Sequence, residues 1–123
     1  MKLVKTFPAL VDIGGFMIVG IPTDDGQVVS GHFGKSKYFV IARIDGNEAS
    51  EKRTVENPHN NEATEQGGHG KLLKMLVDNK VNMVICADLN PRMEQNLNSL
   101  GISVNKCGYG QSIDDLLRGI QPD

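Results

Sequence analysis

The chain has 123 residues, 39% of them hydrophobic and 23% charged, with a formal net charge of −2. That is the length of one ordinary domain, the composition excludes wholesale disorder, and no apolar run approaches the roughly 20 residues that cross a bilayer. With near-neutral charge, no Trp and only 5% aromatics, the chain lacks both the basic footprint and the stacking surface of a nucleic-acid binder.

In chain order, residues 1–15 read as an extension, apolar in part but interrupted by Pro8 and hinged by Gly14-Gly15. Lys2 and Lys5 precede no proper hydrophobic segment, so a secretory leader is not expected. A single domain is expected over 16–123. It opens on a continuous apolar run, 16–21, of the kind buried on both faces of a sheet, and Pro22 is expected to end it. A second strand is expected over 37–44. Asp45-Gly46-Asn47 then reverses the chain into a polar, edge-lying third strand over 49–55.

Residues 57–70 hold almost no large apolar side chain and read as a long surface loop. Beyond it the period changes: Leu72, Leu73, Leu76 and Val77 share one helical face, and 81–86 reads as a central strand. Asn90 and Pro91 are an N-cap and first-turn pair, Met93, Leu97 and Leu100 follow at helical spacing, and Gly101 stops the helix. A short strand over 102–105 leads to Ser112, which caps a helix carrying Ile113, Leu116, Leu117 and Ile120 on one face. The order β-β-β-α-β-α-β-α predicts an α/β fold with a mixed five-stranded sheet and flanking helices, the ribonuclease H-like arrangement.

Metal or redox chemistry must draw on Cys86, Cys107, His32, His59 and His69. Two cysteines are too few for a disulfide framework, so a reduced, cytoplasmic setting is expected. In α/β sheets the loops beyond the carboxyl ends of the parallel strands form the usual site. Four segments fall there: 22–34, the stretch ending at 67–71, 86–92 and 106–112. His32 lies between Gly31 and Phe33-Gly34 and reads either as a backbone-bonded turn residue or as a ligand. His69 reads either as a helix cap or as a ligand, and His59 as plain loop. Cys86 ends an apolar strand and fits a small core residue as well as a ligand, while Cys107, followed by glycine, looks more accessible. Lys35, Lys37 and Lys71 are solvated cations by default. Arg92 opposes the helix dipole, which points it toward an anion.

Other chemistries lack their residues. The first strand has no carboxylate for two-metal nuclease work. No phosphate-binding glycine fingerprint occurs, and no local signature supports a Cys–His nucleophile. Histidine and cysteine in glycine loops suit iron–sulfur species or zinc better than magnesium.

The segments Ile21-Pro22-Thr23-Asp24-Asp25-Gly26, Val29-Ser30-Gly31-His32-Phe33-Gly34-Lys35, Tyr38-Phe39, Glu56-Asn57-Pro58, Gly68-His69-Gly70-Lys71 and Val84-Ile85-Cys86, with Pro91-Arg92 beyond, resemble the dinitrogenase iron–molybdenum cofactor biosynthesis family. The resemblance covers about residues 17–120. It implies a ribonuclease H-like fold without nuclease activity, a protein that binds an iron–sulfur or iron–molybdenum cluster or precursor and passes it on. His32, His69 and Cys86 fall on the family's histidine and cysteine positions. Where the family often has a glycine-rich loop before Pro-Arg, this chain has Ala87-Asp88-Leu89-Asn90, bulkier and acidic enough to crowd or repel an anionic cluster.

The expected function is therefore a non-enzymatic carrier. Its metal ligands are drawn from His32, His69, Cys86 and Cys107. Gly31, Gly34 and Gly70 line the site, and Lys35, Lys71 and Arg92 offset the cargo's charge. The expected partners are cluster-donor or cluster-acceptor proteins, with neither membrane nor nucleic acid, and the expected assembly is a monomer or weak homo-oligomer. The alternative is a metal-free regulatory or interaction domain whose glycine loops bind a partner or small anion.

Overall fold

A computed structural model describes residues 16–45, 48–58 and 65–119. The expected extension at 1–15, His59 and Ile120 lie outside the described residues. Five strands are present: β1 (Phe16–Thr23), β2 (Tyr38–Asp45), β3 (Glu48–Glu56), β4 (Met83–Cys86) and β5 (Ser103–Lys106). Three helices accompany them: α1 (Glu65–Asp78), α2 (Pro91–Ser99) and α3 (Ile113–Gly119). The sheet order is β3-β2-β1-β4-β5. The β1–β2 and β2–β3 pairs are antiparallel, and β4 runs parallel to both β1 and β5. This is the mixed five-stranded α/β sheet that the element order predicts.

Strand alternation splits the core into two layers. Met17, Val19 and Ile21 of β1, Val40 and Ala42 of β2, and Met83 and Ile85 of β4 pack on Ile113 and Leu117 of α3. The opposite residues, Phe39, Ile41, Val84 and Cys86, pack on Leu72 and Leu76 of α1 and on Met93 and Leu97 of α2. Each fully buried aliphatic side chain contributes about 1.5–3 kcal/mol relative to exposure. Helix α2 has the cap its sequence announces: the Asn90 side chain accepts from the Met93 N–H at 2.8 Å, and Gly101 takes φ +81° just past the end. No helix among the described residues is long and apolar enough to cross a membrane.

Two expectations need correction. Pro22 does not end the first strand, which pairs through Pro22↔Phe39 to Thr23↔Tyr38. The Pro22 carbonyl accepts from Ser30 N–H at 2.9 Å on the side away from β2, and β4 pairs with β1 only at Val19 and Gly20. The missing proline donor therefore faces no ladder partner. The loop expected over 57–70 is shorter, because α1 begins at Glu65 and takes Gly67, Gly68 and Gly70 into its first two turns. Glycine is a poor helix former and concealed this start. What carries the helix is tertiary packing, with Leu72 and Leu76 fully buried.

Candidate functional site

At the carboxyl ends of β1, β4 and β5, two loops meet. The loop after β1 starts as a tight turn built on side chains. The Thr23 hydroxyl donates to Val28 O at 2.7 Å and accepts from Gly26 N–H at 2.9 Å. Asp25 Oδ1 accepts from the N–H groups of Gln27 and Val28 at 2.8 and 3.1 Å. These backbone donors, Gln27 first, hold the Asp25 carboxyl below its ordinary value. The same loop is then laced to the one after β5. Val29 N–H donates to Gln111 O at 2.9 Å, Gly110 N–H to Val29 O at 2.8 Å and Ile113 N–H to Gln27 O at 2.9 Å.

Below His32 the loop is clasped by Asn57, at the end of β3 and fully buried. Its Nδ2 lies 2.9 Å from Ser36 O, 3.2 Å from Ser36 Oγ, 3.3 Å from Gly34 O and 3.4 Å from Phe33 O. Phe33 is buried and packs edge-on against Phe39, with ring centroids 5.1 Å apart. Phe33 and Asn57 thus pin the backbone on one side of His32 and leave its imidazole exposed.

The result is a cleft of about 630 Å³ walled by Gly31, His32, Ala87, Asp88, Cys107 and Tyr109. Gly31 sits against the base of the Tyr109 side chain, where an added Cβ would make ordinary contact with Tyr109 Cβ at 3.8 Å. Cys107 is half-buried and packs, like Ala87 and Leu116, against the core layer on the α3 side of the sheet, and burial pushes its thiol above its usual value. The cleft has the dimensions of a small-molecule site. Imidazole and thiol on facing loops are donors for a soft or borderline metal.

A family model for the dinitrogenase iron-molybdenum cofactor family matches residues 16–122. The chain belongs to that family. Among relatives of the dinitrogenase iron-molybdenum cofactor member described here, MJ0580 of Methanocaldococcus jannaschii is 29% identical over 105 residues, 83% of each chain. The crystal structure of PH0822 matches with a TM-score of 0.71 and 34% identity, covering 87% of this chain and 93% of that one. The apo orange protein of Desulfovibrio gigas matches with a TM-score of 0.66, covering 86% and 91%. At 18% identity this last likeness is one of fold alone.

The residues singled out from sequence are not all gathered in the cleft. His32, Gly31 and Cys107 are in its wall. Cys86 is not: its side chain is 0% exposed on the opposite face, among Phe33, Leu89 and Met93. Burial pushes its thiol up to about 12. Only its carbonyl reaches the other cysteine, accepting from Cys107 N–H at 2.9 Å. Gly34 is half-buried behind His32, in the Asn57 clasp.

His69 and Gly70 lie in the first turns of α1, and the His69 side chain is outside the described residues. Lys71 lines a separate groove of about 440 Å³ with Glu56, Met75 and Asp78. Lys35 and Arg92 are exposed and do not wall the cleft. The sequence did not mark Tyr109 as a site residue, and it marked Asp88 only as part of an acidic loop that would repel an anionic cluster. Both lie in segments expected at the carboxyl end of the sheet, so the position was legible while their part in the wall was not.

Proposed function

We propose that the chain is a non-enzymatic carrier that holds an iron–sulfur or iron–molybdenum cluster, or its metal precursor, as exchangeable cargo in the cleft between the loops after β1 and β5. The observation that carries this reading is the juxtaposition of His32 and Cys107 on two hydrogen-bonded glycine loops. Family membership supports it, since the family is named for the cofactor. In this reading residues 16–123 form one ribonuclease H-like domain working in the cytoplasm as a monomer or weak homo-oligomer. His69, Lys35, Lys71 and Arg92 meet the cargo from outside the cleft wall, and donor and acceptor proteins load and unload it. Cys86 supports the strand beneath and would reach a cargo only after local opening. Zinc is a further cargo that this donor set suits.

Neither thiol has the activation of a catalytic nucleophile. A nucleophilic cysteine needs a lowered pKa, whereas burial raises both Cys86 and Cys107. The test is anaerobic reconstitution with iron and sulfide, read by iron content and visible absorption. The wild-type chain is expected to take up cluster, and the His32→Ala/His69→Ala double variant to lose it. Unchanged uptake by the double variant overturns the reading.

A second reading rests on Tyr109, which is 77% exposed at the cleft rim, with Val28 on the adjoining loop 37% exposed. An exposed tyrosine beside a cleft is the kind of anchor protein partners bury. In that reading the loops bind a partner without metal. Reconstitution then yields no iron, and Tyr109→Ala abolishes partner binding.

A further inference from the structure

The charge of the cleft narrows the class of cargo. Among the described residues its wall contains one fixed charge, the carboxylate of Asp88, beside the titratable imidazole of His32. Among the described residues no ammonium or guanidinium group belongs to the wall. Lys71 lines the separate groove against Glu56 and Asp78. Lys106, next to Cys107 in sequence, directs its Nζ to Glu94 Oε1 at 3.5 Å, toward α2. Asp88 is exposed, and among the described residues no hydrogen bond or ion pair engages its carboxylate.

Resting on the reading of this cleft as the cargo site, we propose that Asp88 is its specificity-determining residue, selecting a soft or borderline divalent metal ion over a multiply anionic cluster. A carboxylate in the wall of a cleft attracts a cation and repels an anion at short range. The neighbouring donors agree with this choice: imidazole nitrogen and thiolate sulfur are the ordinary ligands of such ions, and a carboxylate oxygen is compatible with them.

Coordination at Cys107 forms a metal–sulfur bond and releases the thiol proton to solvent, one proton per ion. Among the described residues no three His, Cys, Asp or Glu side chains converge closely enough to hold an ion together. An ion here would be held by at most two of the described side chains at a time, with water completing its shell, and would leave readily. That matches a metal precursor in transit.

Titration of the reduced full-length chain with Co2+ under anaerobic conditions tests this. The thiolate-to-cobalt charge-transfer absorption and the proton release are followed, with iron–sulfide reconstitution run in parallel. Asp88→Asn is expected to weaken Co2+ binding about tenfold and to raise cluster occupancy, while Asp88→Glu keeps the wild-type preference. If Asp88→Asn shifts neither titration, or moves both in the same direction, Asp88 is not the selector. The His32→Ala and Cys107→Ser variants separate this from failure of the carrier reading. Loss of binding in them with no effect at Asp88 removes only the present proposal, whereas wild-type behaviour in both titrations removes the cleft as a cargo site and both ideas with it.

Discussion

Ser30-Gly31-His32-Phe33-Gly34 and Gly67-Gly68-His69-Gly70 both set a histidine among glycines, yet the first is a loop and the second lies within α1. Composition does not separate them; the neighbours do. The first segment is followed by nothing of helical period, and Phe33 and Asn57 tie it down from below. The second leads into Leu72 and Leu76, whose burial draws the preceding residues into the helix despite a cost of roughly 1 kcal/mol per glycine. One histidine is thus presented by hydrogen bonds to a fixed loop, the other by a helix that exists because of its distal end.

Breaking each support tests the contrast. Leu76→Ala removes a fully buried side chain under α1 and should cost about 2–5 kcal/mol by denaturant unfolding. Asn57→Ala leaves the Ser36 carbonyl without its buried side-chain donor, and the Phe33 carbonyl with the Ser36 hydroxyl alone. A loss of about 2 kcal/mol is expected, with amide shifts on 31–37 rather than on α1. The same variant showing changes only in the helix would contradict the clasp.

The glycines sharpen the contrast at smaller scale. Among the described residues an added Cβ meets nothing within 4 Å at Gly70 or Gly110, but Gly110 has φ +81°. Gly70→Ala should therefore stabilise the chain by about 0.5–1 kcal/mol, and Gly110→Ala destabilise it by about 1–2 kcal/mol. Thermal melts of the two variants should move in opposite directions.

The smallest effect concerns acid. The Asp25 carboxyl is lowered by its backbone donors, so its contribution is complete above the unfolded carboxylate value of about 3.9 and fades as pH falls through the lower folded value. Asp25→Asn should flatten that part of the pH–stability curve, with its small loss of stability present at neutral pH and vanishing as pH falls below the folded value.

Much of the fold was legible because its signals are local. The apolar runs of β1 and β2, and the Asn90-Pro91 to Gly101 bracketing of α2, need no distant partner to be read. The start of α1 was hidden because glycine propensity opposes it, and Pro22 misled because a ladder position can leave the proline nitrogen with no bond to make. For the site, His32 and Cys107 were legible from their glycine loops. The face taken by Cys86 was not, since alternation within β4 does not reveal which side meets the cleft. Nor was the role of Asn57, whose partners are 21–24 residues away in sequence. Lys35 and Arg92 were grouped with the site by charge, by the family-like segments they fall in and, for Arg92, by its place at a helix start, none of which reports where a side chain points.

The two sulfur atoms face opposite sides of one sheet, Cys107 half-exposed and Cys86 sealed beneath α2. Each molecule therefore contains its own clock for opening. Under native conditions a thiol reagent should consume one sulfur quickly, and the second only as fast as the sheet and α2 part company. The lag between the two modifications, followed by intact mass, measures how often the interior of this small domain becomes exposed, with no probe added to the chain.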